Sequence, residues 1–200
     1  MKRNLVLLLF AACMIFCGTS VRAEEDSSLD QEIMDSLAVN DPQKTLTLTN
    51  TAIERNPGNT FALGVRSQMF LQLGEVDKAL NDIDAILGKE VTADMLLYRC
   101  MVRESQAKVT SDALECYASA AQELERTHPR SELIRKHGYI MLLLMAGSPN
   151  AENARKEHLA YLQTKNDNEY ALSPIKDFDR SEIEPFIESI RAAQRKAGRR

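Results

Sequence analysis

Two hundred residues suffice for one domain or a short repeat array, and 44% hydrophobic with 27% charged residues is the composition of a folded chain. The formal net charge is −4; the first 23 residues hold Lys2, Arg3 and Arg22 and no acid, so without them 22 basic residues face 29 acidic ones, a net −7. A chain this acidic has no general attraction for nucleic acid phosphates, and a single apolar run near membrane-spanning length excludes a polytopic membrane protein.

Met1-Lys2-Arg3-Asn4 is a short positive segment, Leu5 to Phe16 is nearly unbroken apolar sequence, and Val21-Arg22-Ala23 puts small residues where a signal peptidase reads. These are the three parts of a secretory leader, so 1–23 is expected to be a signal peptide cleaved after Ala23, leaving a periplasmic or secreted chain. Twelve apolar residues span about 18 Å as a helix, short of the hydrocarbon core. The alternative is a membrane-anchored lipoprotein: Phe10-Ala11-Ala12-Cys13 has small residues before a cysteine, but the apolar run continues past it.

From residue 26 onward the sequence repeats itself at an offset of 34. Leu29, Leu63 and Leu97 form one series; Thr45, Ala79 and Ala113 a second; Leu46, Leu80 and Leu114 a third; Ala52, Ile86 and Ala120 a fourth. Asn40-Asp41 and Gly74-Glu75 mark turns at the same offset. A fixed period in this range predicts stacked units, each burying its apolar face on its neighbour. In the second unit the spacing predicts a helix over 61–73 stopped by Gly74, then a helix over 77–87 ended by Gly88, with a link short enough to force an antiparallel hairpin.

The pattern resembles the tetratricopeptide repeat family. With Ala79 at the family's small position 20, Leu63 falls on position 4, Ser67 on 8, Phe70 on 11, Ile83 on 24 and Ile86 on 27, while Pro57 closes the preceding unit at position 32. The resemblance implies an all-α fold, a short right-handed solenoid of helix-turn-helix units at about 26–59, 60–93, 94–127 and 131–165, together a repeat domain over 24–165. The units are degenerate: there is no tryptophan, Ile33 and Met101 occupy position 8, Glu104 stands where the family has an aromatic, and the fourth unit needs about four extra residues around Gly147-Ser148-Pro149-Asn150.

Residues 166–200 read as a polar linker with Ser173-Pro174 as a breaker, then a helix opened by a Ser181/Glu184 capping box and Pro185 in its first turn. Phe186, Ile187 and Ile190 give it an apolar stripe, expected to cap the last repeat; folding back into the groove is the alternative. The tail from Arg191 to Arg200 carries five basic residues and no acid, a solvated helix end or a contact for anionic lipid.

Four cysteines occur, two of them in the leader. Repeat geometry puts Cys100 and Cys116 at similar heights on adjacent antiparallel helices, where a disulfide and two buried thiols both remain open. No zinc spacing, phosphate-cradling glycine loop or nucleophile elbow is present, and His128, His137 and His158 are scattered, so neither enzyme activity nor a metal or other cofactor is expected. The resemblance instead implies a concave groove lined by the first helix of each unit. The residues it places there include Phe61, Gln68, Gln72, Met95, Tyr98, Arg135 and Tyr139, a mixture suited to a protein or peptide partner. The expected role is a scaffold, adaptor or secretion accessory; the alternative is an immunity-type inhibitor of a periplasmic toxic enzyme.

Overall fold

A computed structural model describes residues 28–107, 109–165 and 175–199. The expected leader lies outside the described residues, as does 166–174 of the expected linker. Among the described residues every regular element is helical: α1 (28–38), α2 (Pro42–Arg55), α3 (Thr60–Leu73), α4 (Val76–Leu87), α5 (Ala93–Gln106), α6 (Thr110–Thr127), α7 (Arg130–Leu133), α8 (His137–Met145), α9 (Ala151–Gln163) and, after a 3-10 turn at Arg180–Ile183, α10 (Glu184–Ala197). No described helix is long and apolar enough to cross a membrane. The described residues divide into two compact units, the first ending at Met69 and the second starting at Phe70, a division that falls inside α3.

In the first unit, Leu29 and Ile33 of α1 pack with Ala52 of α2 and with Ala62 and Val65 of α3. Small residues on α2 and α3 let the helices approach closely, so much of the seam is polar. The hydroxyls of Ser36 and Thr45 lie 2.8 Å apart in full burial, and Thr49 donates to the Thr45 carbonyl at 2.9 Å. Each such hydroxyl is paired, as a buried polar group must be. Asp41 caps α2 by accepting from the Lys44 N–H at 3.0 Å, and Asn59 accepts from the Ala62 N–H at 2.9 Å at the start of α3.

The hairpin turns share one device. Asn40, Gly74 and Gly147 have φ of 53°, 77° and 65°, and the residue after each sends its N–H back five residues: Asp41 to Ser36 at 3.0 Å, Glu75 to Phe70 at 2.8 Å, Ser148 to Leu143 at 3.0 Å. This left-handed cap satisfies the last carbonyls of one helix while reversing the chain into the next. Asn40 and Gly74 stand 34 residues apart, so here the sequence period has a backbone cause.

In the second unit α5 is the central element, packed against α4, α6, α8 and α10. α8 is buried nearly all round, from Gly138 to Leu143 and again at Met145. Gly138 permits this: a Cβ there would fall 2.6 Å from the backbone of Ala93 and Asp94. The first helix of the fourth expected unit is broken, because α7 ends at Leu133 and α8 starts only at His137.

The C-terminal helix differs from expectation in two respects. Its start is set by Asp179, whose side chain accepts from the Ser181 N–H at 2.8 Å while Glu182 accepts from the Asp179 N–H at 3.0 Å. The box is therefore Asp179/Glu182, two residues before the Ser181/Glu184 pair, and it opens the 3-10 turn that feeds α10. Second, α10 lies along α5 in place of closing the last helix pair. Ile187 and Ile190 are buried there, and complete burial of each stabilises the docking by about 1.5–3 kcal/mol.

Candidate functional site

Helix α3 places Phe61, Gln68 and Gln72 seven and four residues apart, along one stripe of its surface, and all three are exposed. Its other sides bury Ala62, Leu63, Val65, Ser67, Met69 and Leu71. On α5, Met95 and Tyr98 are half-buried against the core of the second unit, and the Tyr98 ring stands 6.0 Å from that of Phe186 on α10. Arg135 is exposed, its guanidinium 5.4 Å over the Tyr161 ring. Tyr139 is a correction: it is 1% exposed, and its hydroxyl donates to Glu125 at 2.7 Å. The break between α7 and α8 rotates the faces of α8, and this tyrosine turns into the core. Burial, reinforced by the Glu125 carboxylate, raises its pKa and keeps the phenol protonated.

Two arginines hold α10 and its approach in place. Arg180 pairs with the Glu104 carboxylate, donates to the Met145 carbonyl at the end of α8 at 2.8 Å, and lies 5.7 Å over the Tyr117 ring. Tyr117 itself donates to Glu104 at 2.6 Å. Arg191 donates to the carbonyls of Glu104 at 3.2 Å and Ser105 at 3.3 Å, in the last turn of α5. Each arginine thus supplies donors to a helix C-terminus, whose final carbonyls have no intrahelical partner and whose dipole favours a cation. Gly74 completes the seat, since a Cβ there would fall 2.6 Å from the Ala193 carbonyl oxygen.

Cys100 and Cys116 are joined in a disulfide that ties α5 to α6, with Cα atoms 5.6 Å apart. Beside it runs an open cleft of about 540 Å³ whose walls include Arg99, Arg103, Glu115 and Glu123. Arg99 lies 3.0 Å from Asp84 of α4. His158 is buried against the Ile134 carbonyl at 2.7 Å, and its ring centre is 6.4 Å from that of His137. Among the described residues no three His, Cys, Asp or Glu side chains are grouped to hold a metal ion.

The residues that fix α10 and that the sequence reading missed are Arg180 and Arg191. Their signal was indirect. Glu104, on the core side of a helix, is a carboxylate that burial requires to be paired; its cation, Arg180, comes from the turn ahead of the C-terminal helix, and Arg191 of the basic tail reaches the Glu104 carbonyl. Comparison with protein-family models, with curated protein sequences and with solved structures gave no match.

Proposed function

We propose that the chain is an exported, non-catalytic protein of the tetratricopeptide kind, which binds a protein partner through the first helices of its units. The observation that carries this reading is the contrast between α5 and α3. The outer face of α5 takes an amphipathic helix, α10, whereas the stripe on α3 that the 34-residue offset makes equivalent is bare at Phe61 and Gln68. The same kind of surface that accepts a helix within the chain is thus open on α3 to one from another protein. Export is supported by the leader-like sequence over 1–23 and by the Cys100–Cys116 disulfide, a bond that persists in oxidising compartments.

In-host crosslinking of the mature chain, with captured proteins identified by mass spectrometry, tests the reading. A Phe61→Ala/Gln68→Ala variant run alongside should lose the dominant partner. Equal capture by both chains overturns it. The partner's identity then separates an adaptor from an inhibitor of one toxic enzyme.

A further inference from the structure

In the first unit, Gly64 lies between Phe61 and Gln68 on the exposed stripe of α3. A glycine in mid-helix costs up to about 1 kcal/mol relative to alanine. Elsewhere that cost has a visible return: Gly138 lets α8 lie against the backbone of α5, and Gly74 both turns the chain and admits Ala193. Gly64 has no such neighbour, because a Cβ built on it meets nothing within 4 Å. Its missing side chain makes a notch that no other part of the described chain fills.

The repeat offset gives the notch a meaning. Gly64 corresponds to Tyr98 of α5, the residue against which Phe186 of α10 rests. Where α5 offers a ring, α3 offers a space with an aromatic ring one turn before it. The neighbouring helix supplies charge. Asn59, two residues before Phe61, donates to Asp30 at 3.3 Å, which fixes α1 beside the start of α3. Met34, one turn further along α1, is 50% exposed, and the helix 28–38 carries Asp30, Glu32 and Asp35 with no lysine or arginine.

Resting on the reading above, we infer that the occupant of this surface is a basic amphipathic helix of the partner. It lies along α3 with a bulky apolar side chain seated over Gly64 between Phe61 and Gln68, and turns lysine or arginine toward the acidic helix α1, whose Asp30 stands at the start of α3. Its apolar side is that of α10, in which an aromatic and two isoleucines are followed by Arg191, Arg195 and Lys196; within α10 itself Arg191 and Arg195 also pair with Glu184 and Glu188. Its apolar side supplies contact area, and the cations set orientation and speed encounter with an acidic face.

The probe is a labelled synthetic peptide with the sequence of residues 179–199, titrated by fluorescence anisotropy into the full mature chain. Saturable binding is expected, weakened about tenfold or more by Gly64→Leu, which fills the notch, and by Phe61→Ala. Leucine is a better helix former than the glycine it replaces in Gly64→Leu, so a thermal midpoint that does not fall separates a blocked site from a damaged fold. A second peptide with glutamate in place of Arg191, Arg195 and Lys196 should bind more weakly, with the difference shrinking as salt rises. No saturable binding up to millimolar peptide overturns the inference. Binding indifferent to Gly64→Leu overturns it too, since the peptide is then exchanging with α10 on α5. Equal binding of the acidic peptide removes the basic partner. If crosslinking still loses its partner in the Phe61→Ala/Gln68→Ala variant while the peptide fails, the partner-binding reading stands and the helical occupant falls.

Discussion

The first unit packs a cluster of Leu29, Ile33, Ala52, Ala62 and Val65, with Leu63 and Met69 also buried, and is stitched by hydroxyls such as Ser36 and Thr45. The second buries Tyr117, Tyr139 and most of α8, carries a disulfide between α5 and α6, and lays α10 along α5. Three of the exposed large apolar residues, Met34, Val39 and Phe61, belong to the first unit, and two, Val91 and Val109, to the second. The disulfide and the docked helix thus belong to the second unit, whereas exposed large apolar residues occur in both. Binding surfaces tend to come from the less stable parts of a fold, and the more weakly built unit here keeps its helix face open.

That comparison fails first if the disulfide is not specific to the second unit's stability. Sixteen residues separate Cys100 from Cys116, and closing a loop of that size in the unfolded chain contributes about 3 kcal/mol. Cys100→Ala/Cys116→Ala should therefore lower the unfolding free energy of the second unit by about 3 kcal/mol. Amide hydrogen exchange should show faster exchange in α5, α6 and α8, with α1 and α2 unaffected. Equal acceleration in α1 and α2 would mean that the two units unfold as one.

A smaller effect sharpens the picture of α10. Glu104→Ala leaves the Tyr117 hydroxyl and the Arg180 guanidinium without their shared acceptor, at an expected loss of about 2 kcal/mol from the second unit. In a double-mutant cycle with Arg180→Ala the two losses should be strongly non-additive, and exchange in Glu184–Ala197 should rise. Additive losses would show that the Glu104–Arg180 pair does not hold α10, which Ile187, Ile190 and the Arg191 bonds to the end of α5 would then hold without it.

The hairpin turns were legible in the sequence because their cause is local. A left-handed residue at 40 and again at 74 needs Asn or Gly, and both stand there at the repeat offset. The place of α10 was not legible. An apolar stripe at Phe186, Ile187 and Ile190 shows that the helix buries a face, without naming the surface that receives it. That choice depends on Arg191 reaching the end of α5, 86 and 87 residues away, and on Arg180 reaching Glu104, 76 residues away. Tyr139 was misplaced for a related reason. Its position was counted along one continuous helix, and the break at 134–136 changed which way α8 faces. On α3, by contrast, Phe61, Gln68 and Gln72 are all exposed, because that helix is unbroken and buried on its other sides.

Gly64→Ala tests the open face from the side of stability. With free space over the added methyl and an ordinary helical backbone, the substitution should stabilise the first unit by about 0.5–1 kcal/mol through helix propensity. Hydrogen exchange in α1 to α3 should slow while α5 and α6 are unchanged. Destabilisation would mean that the space over Gly64 is taken up in the free protein, and with it the notch would disappear.

The smallest effect concerns acid. His137 begins α8, where burial lowers its pKa from the ordinary 6.5; Asp94 partly opposes this and His158 adds to it. A histidine whose folded pKa lies below its unfolded one binds fewer protons in the folded state. Stability therefore rises with pH across that window: the contribution is complete above the unfolded value and is lost as pH falls through the folded one. Thermal midpoints of the second unit should drop between pH 7 and pH 5, and His137→Gln should drop less. Because the first unit holds no histidine in its described residues, α1 and α2 should not share this component of the acid response. An equal fall in wild type and His137→Gln would assign the acid sensitivity to groups other than His137.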